Sequence, residues 1–208
     1  MNKKDLRTTY KQKRKTLGES SIQSLSLQIA NQALNLPIWD ASFYHIFLTI
    51  KHLKEIETEP LISILFGKDK NVVIPKSNIS TGKMTHFLLT DSTVIKSNIW
   101  NIPEPEGGVQ IQDNQIEVVF IPLLVFDEKG HRVGYGKGFY DTFLKNCPNA
   151  IKIGLSFFEA EAEIDDHKAY DIPLDYCITP NRIYHFQEEL VLKWRSYYCI
   201  TKEVQHQC

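Results

Sequence analysis

Residues 127–141 read DEKGHRVGYGKGFYD. An apolar run at 118–126 precedes them and reads as a buried strand interrupted by Pro122; a helix-like segment at 139–147 follows. Strand, glycine-rich loop and helix, in that order, suit an anion. Glycines let backbone N–H groups close on a phosphate, and a helix N-terminus adds a favourable dipole. Arg132 and Lys137 supply cations for phosphate oxygens. Asp141 is the kind of ligand that hard divalent cations take. It equally suits the first turn of the following helix, where the dipole favours an anion. The pattern is neither a Walker loop nor the dinucleotide fingerprint, and Gly134, Gly136 and Gly138 also suit a bulged hairpin.

Outward from this loop, helical and extended segments alternate. Residues 3–17 read as a helix with Leu6, Tyr10 and Leu17 on its apolar side and the densest basic charge in the chain. Such a run is ordinarily a solvated face; a nucleic-acid arm is the sharper alternative. Lys3 and Arg7 are four apart and share a helix face, a spacing that suits a phosphate chain. Gly18 breaks this helix. Ser20 or Ser21 caps a second, whose Ile22, Leu25, Ile29, Ala33 and Leu36 keep helical spacing until Pro37. Strands are predicted at 42–48, 72–75, 84–89, 150–157 and 176–179. A short helix runs from Thr58 to Phe66 with Pro60 in its first turn. Residues 101–115 read as a loop, 159–170 as a loop or short helix, and 188–198 as a terminal helix before a frayed tail. The alternation predicts an α/β fold, three layers with a mostly parallel central sheet. A single domain spans 1–190, with 191–208 as an appended helix and tail. Ligands of such sheets sit beyond the carboxyl ends of the strands, where the glycine loop lies.

Composition narrows the function. The 208 residues carry a net charge of −1 and 42% hydrophobic residues. That balance gives no electrostatic hint of nucleic acid or membrane. The N-terminus lacks the apolar core of a signal peptide, and no apolar run reaches the roughly 18 residues of a membrane span. Cys147, Cys177, Cys199 and Cys208 are scattered without a C-x-x-C pair, which argues against zinc and against a disulfide framework. A reduced, cytoplasmic setting is expected.

The stretch FDEKGHRVGYGKGFYDTFL, 126–144, resembles the signature FD-x-x-G-x-R-L-G-x-G-x-G-Y-Y-D of the 5-formyltetrahydrofolate cyclo-ligase family. Four further features agree in order: Lys3 with Arg7, the segment EIET at 55–58, WNIPEP at 100–105, and the late aspartate of AYDIPLDYCIT at 169–179. The resemblance implies an ATP- and Mg²⁺-dependent enzyme that cyclises 5-formyltetrahydrofolate to 5,10-methenyltetrahydrofolate and releases ADP and phosphate. The implied course is attack of the formyl oxygen on the γ-phosphate, then attack of N10 on the activated carbon. It implies that Lys3, Lys4, Arg7, Arg132, Gly134, Tyr135, Gly136, Lys137, Gly138, Phe139 and Tyr140 bind ATP. Lys137, Arg132 and Tyr140 serve catalysis, Lys137 as main stabiliser of the transferring phosphoryl group. Asp141 and Asp171 correspond to Mg²⁺ carboxylates. Leu48, Glu55 and Trp100 correspond to folate contacts; on composition alone Glu55 reads as a solvated loop acid and Trp100 as rim packing. The acting unit is expected to be a monomer that handles small molecules and neither nucleic acid nor membrane.

The chain departs from the pattern in places. Val133 stands for leucine, Phe139 for tyrosine, Pro122-Leu123 for Pro-Gly, and the segment at 49–54 is about two residues longer. His131 and His167 lie near the loop without an assigned role. Two other functional classes remain on sequence grounds. Similar folds handle sugar phosphates, and a protein that binds folate or nucleotide without turnover would tolerate Phe139 and the longer segment.

Overall fold

The computed structural model describes residues 1–168 and 170–186; the terminal helix and tail expected at 188–208 lie outside them. Helix α1, Lys3–Lys15, begins at Asn2, whose side chain accepts from the Asp5 N–H at 2.9 Å. Asp5 lies in its first turn and Lys13, Arg14 and Lys15 in its last, each sign where the helix dipole favours it. Helix α2, Glu19–Ala33, is capped by Gly18 rather than by a serine side chain. Strand β1, Phe43–His45, leads to helix α3, Glu59–Gly67, with Pro60 in the first turn as expected. Next come β2, Asn71–Asn78, β3, Lys83–Leu88, β4, Ile95–Ser97, β5, Pro103–Pro105, and β6, Gln110–Ile111. Strands β7, Val118–Pro122, β8, Val125–Phe126, and β9, Arg132–Val133, precede helix α4, Phe139–Leu144. Strands β10, Ile151–Leu155, β11, Tyr176–Ile178, and β12, Ile183–His185, complete the described chain.

The central sheet has the order β12-β11-β10-β7-β1-β2-β3-β6. Neighbours from β11 to β2 pair in parallel, whereas β12, β3 and β6 join antiparallel at the edges. Buried parallel strands are apolar on both faces, and β7 follows that rule. Val118 and Phe120 join Ile29, Ala33, Leu61 and Leu65 of α2 and α3, while Val119 and Ile121 join Phe143 and Leu144 of α4. The three layers expected from sequence are present, the second helical layer being the short α4. A separate cluster of Leu6 and Tyr10 with Leu124, Val125, Val133 and Ile164 seats α1 on the β8–β9 ribbon, just beyond the carboxyl end of β7.

Three expectations differ in detail. The run 118–126 is two strands: Pro122 closes β7, having no N–H to continue a ladder, and Val125–Phe126 turns away to pair with β9. The loop expected at 101–115 contains β5 and β6, because Pro103–Pro105 pairs with β4 and Gln110–Ile111 with β3. Helix α4 stops at Leu144, short of Cys147. No helix among the described residues is long and apolar enough to cross a membrane.

Gly154 lies at the centre of this packing. A methyl group there would come within 2.6 Å of Leu174 Cδ1 and 2.7 Å of Leu123 Cδ2. Gly154→Ala is therefore expected to lower stability by about 1–3 kcal/mol through overpacking, read as a lower urea midpoint with an unchanged slope.

Candidate functional site

The β8–β9 ribbon delivers Arg132 to the site, and residues 134–138 then loop to α4. Gly136 and Gly138 have φ of +90° and +73°, which side chains rarely adopt. Gly136 also lies against the Arg7 guanidinium, 3.3 Å from where its Cβ would stand. Arg7 Nε donates to the Gly134 carbonyl at 2.9 Å. Lys11 places its ammonium 5.3 Å from the centre of the Tyr135 ring. One edge of α1 thus runs along the glycine loop.

Two carboxylates complete the cluster. Asp141 accepts from Arg132 Nη2 at 2.6 Å, and Arg132 Nη1 donates to the Ile172 carbonyl. Asp171 accepts from Lys3 Nζ at 2.5 Å and from the Lys168 N–H at 2.6 Å. Burial raises the Asp171 carboxyl, but the Lys3 bond and the Lys168 N–H outweigh it and hold it below the ordinary range. Burial weakens the hold of Arg132 on its proton, against the pull of Asp141. No group of three or more histidine, cysteine or carboxylate side chains among the described residues could hold a metal by itself. Two carboxylates nevertheless suit Mg²⁺ that arrives on phosphates, since that ion is ordinarily held through one or two carboxylates together with substrate oxygens.

The structure therefore brings together Lys3, Arg7, Arg132, Gly134, Gly136, Asp141 and Asp171. Lys137 is exposed on the loop and has no hydrogen-bond or ion-pair partner among the described residues. Lys4 is exposed one turn from the cluster, and Phe139 is half-buried at the start of α4. The Tyr140 hydroxyl is buried without a hydrogen-bond partner among the described residues. Burial first, and the nearby charge of Glu55 second, hold it well above the usual phenol range. Beside it lie His45 and His86, also buried, with ring centroids 5.7 Å from Tyr140 to His45 and 5.1 Å from His45 to His86. Burial keeps both imidazoles neutral, His86 falling to about 4.

The expected folate contacts are divided. Leu48 lines an open cleft of about 430 Å³ with Thr49, Lys51, His52, Glu59 and Asn101. Glu55 lies behind this cleft, 4% exposed, and accepts from the Ile50 N–H at 3.0 Å. Burial pushes its carboxyl up to about 7, against that N–H and the charge of Arg14. Trp100 is 50% exposed on the turn between β4 and β5; its neighbour Asn101, not its own ring, lines the cleft.

Sequence reasoning missed Arg14 and Asp127. Arg14 donates to the Tyr135 hydroxyl at 3.0 Å and to the Leu123 carbonyl at 2.6 Å. The signal for it was present: Leu6, Tyr10 and Arg14 are spaced at four residues and form one buried stripe of α1. Asp127 is fully buried beneath the β8–β9 turn.

Comparison with known proteins places this geometry. The sequence profile of the 5-formyltetrahydrofolate cyclo-ligase family matches residues 1–163. The 5-formyltetrahydrofolate cyclo-ligase of Haemophilus influenzae is 32% identical over 180 residues, covering 83% of this chain and 94% of that protein. The mouse protein of the same name is 31% identical over 153 residues, 70% and 74% of the two chains. The solution structure of Aquifex aeolicus 5,10-methenyltetrahydrofolate synthetase superposes with a TM-score of 0.77 at 25% identity, covering 90% of this chain and 94% of its own.

The raised carboxyl of Glu55 has a stability signature. Its folded value of about 7 exceeds its unfolded value of 4.5. The stability it contributes is full below 4.5 and is lost as pH rises through 7. Glu55→Gln has no such loss. Its stability relative to the unsubstituted chain is expected to grow by about 2–3 kcal/mol between pH 4.5 and pH 8, measured by urea unfolding across that range.

Proposed function

Because the chain belongs to the 5-formyltetrahydrofolate cyclo-ligase family and is an enzyme of that kind, we propose that it converts 5-formyltetrahydrofolate to 5,10-methenyltetrahydrofolate, with ATP as phosphoryl donor and Mg²⁺ as ATP's counter-ion. The observation that carries this reading is the convergence of Lys3, Arg7, Arg132, Asp141 and Asp171 around the glycine loop, in a chain that also has a cleft of ligand size past the carboxyl end of β1.

In this reading the loop and Arg7 seat the triphosphate, while Asp141 and Asp171 hold its Mg²⁺. When bound, that ion offsets the charge of the phosphate oxygens. The folate ring system occupies the cleft at Leu48, with Glu55 behind it and Trp100 at its outer rim. The formyl oxygen, an amide oxygen and hence a poor nucleophile, attacks the γ-phosphorus, and ADP leaves. N10 then attacks the activated carbon, gives up its proton, and phosphate departs as the ring closes. No covalent bond to the protein is needed. Catalysis rests on alignment and charge: two well-oriented reactants recover about 7–11 kcal/mol of barrier. Lys137 and Arg132 stabilise the equatorial oxygens in the transition state. The buried, protonated Tyr140 hydroxyl offers a neutral donor at the floor of the loop. We take the acting unit to be a monomer that meets its substrates in the cytoplasm.

The test is a direct assay of purified protein with 5-formyltetrahydrofolate, ATP and Mg²⁺, following the absorbance of the conjugated methenyl product. Lys137→Ala, at an exposed position, is expected to keep the fold and lower kcat by about 10²–10³-fold. Absence of product from the unsubstituted protein would overturn the reading.

A further inference from the structure

We propose that Arg14 is a positioning residue that ties the glycine loop to Glu55, so that the seating of ATP and the charge of the folate-side carboxylate are set by one side chain. The inference rests on the function proposed above. Its first observation is burial. Arg14 belongs to the basic run of α1, yet it is 4% exposed. A guanidinium is not buried without partners, and the partners it has are telling. Nη1 donates to the hydroxyl of Tyr135, inside the glycine loop, at 3.0 Å. Nη2 donates to the carbonyl of Leu123, on the turn from β7 into β8, at 2.6 Å. One rigid fork thus ties the glycine loop to the carboxyl end of β7.

The other side of Arg14 faces Glu55. The two residues line one small space with Phe47, Ile56, Pro122, Leu123 and Leu155, too tight to admit water. Arg14 Nε is buried with no hydrogen-bond partner among the described residues. In a dry space a charge acts over a longer range than in water, and the Arg14 charge favours ionised Glu55. The other polar groups near Glu55 do not duplicate it. The Ile50 N–H donates to its Oε2. Tyr135 and Tyr140, from the loop and α4, are both held protonated by burial. Lys54, its chain neighbour, spends its ammonium on the carbonyls of Lys15 and Leu17 at 2.7 and 2.6 Å. Glu59, at the start of α3, is turned to Thr49 at 3.4 Å. Arg14 is therefore the cation that answers to both sites.

Two variants separate the two halves of the proposal. Arg14→Met keeps the bulk and removes charge and fork; Arg14→Lys keeps charge and removes the fork. The carboxyl titration of Glu55, followed by ¹³C resonance and assigned with Glu55→Gln, needs no turnover. Arg14→Met is expected to move its midpoint to higher pH by roughly one unit, and the acid limb of kcat/KM with it. Arg14→Lys is expected to leave the midpoint near that of the unsubstituted protein. Both variants are expected to raise KM for ATP about fivefold or more, the equivalent of a lost hydrogen bond, and Tyr135→Phe to raise KM without moving the midpoint. A residue that only fills space would move neither the titration nor the split between the variants. An unmoved midpoint in folded Arg14→Met, or an unchanged KM in Arg14→Lys, overturns the proposal. Should Arg14→Met not fold, Arg14→Lys with a midpoint displaced as far as burial alone would place it also overturns it. If the unsubstituted protein forms no product, the cyclo-ligase reading fails, while the carboxyl titration still decides the link from Arg14 to Glu55.

Discussion

Much of this structure depends on one buried carboxylate. Asp127 has no exposed surface, and a carboxylate out of water is tolerated only where donors surround it. Its Oδ1 accepts from the N–H groups of Lys129 and His131, at 3.0 and 2.9 Å. Its Oδ2 accepts from the Ile164 N–H at 3.0 Å and lies 3.0 Å from His131 Nδ1. The first pair closes the turn between β8 and β9. The Ile164 N–H stitches a distant stretch of chain onto that turn, aided by the Leu174 N–H to the Gly130 carbonyl at 2.9 Å. Arg132 leaves the turn in one fixed direction as a result. Asp171 and the Ile172 carbonyl, which meet Lys3 and Arg132, ride on the stitched segment. The geometry of the site is thus inherited from a residue that touches none of its cations. Gly130 belongs to the same device: at φ +84° a methyl group would stand 2.8 Å from the Phe186 ring.

Helix α1 is the second organising element. Its Leu6, Tyr10 and Arg14 face the β8–β9 ribbon, and its adjoining edge carries Lys3, Arg7 and Lys11. Charge density suggested a solvated helix or a nucleic-acid arm. Instead the edge facing the loop is already engaged: Lys3 with Asp171, Arg7 with the Gly134 carbonyl, Lys11 with the Tyr135 ring. The last turn is pinned from the other side, because Lys54 donates to the carbonyl of its last residue, Lys15, and to that of Leu17 just beyond it, a favourable place for a cation. The segment at 49–54 lies at this contact. Its 3₁₀ turn at Lys51–Leu53 and the left-handed Lys54 fold it back onto α1, leaving Lys51 and His52 on the cleft rim.

What was legible in the chain was what local chemistry decides. Glycines at 136 and 138 announce a loop that side chains cannot follow, and the positive φ angles bear that out. The four-residue spacing of Lys3 and Arg7 placed both on the face that meets the loop. Apolar runs bounded by breakers gave the parallel strands and so the α/β layers. What was hidden depends on partners far along the chain. Nothing in Pro103–Pro105 or Gln110–Ile111 says strand until β4 and β3 are beside them. Nothing in 118–126 says that Val125–Phe126 leaves the main sheet for β9. Arg14 was hidden because charge was counted as exposure, although its spacing from Leu6 and Tyr10 marked the buried stripe. Trp100, assigned by resemblance to a folate contact, lies half exposed on the β4–β5 turn, next to Asn101 at the cleft.

The electrostatics of the cluster separate its cations into two kinds. Lys3 and Arg132 are each matched to an aspartate, and Arg7 to a carbonyl, so their positions are set before any ligand arrives. Such preorganisation lowers the cost of binding, since the side chains are already ordered. It also lowers the net field that an anion meets, because each matched pair is close to neutral. In the reading proposed above, the triphosphate takes over part of the role of Asp141 and Asp171, and the carboxylates it displaces then suit a divalent ion brought with it. Lys137 belongs to the second kind. It stands on the exposed loop without a partner among the described residues, between two glycines that permit its backbone to move. In the reading proposed above, Lys137 and Arg132 share the transferring phosphoryl group, one from an exposed position and one from a fixed pair. The contrast between fixed pairs and a lysine without a partner among the described residues is thus written in which side chains the fold has already satisfied.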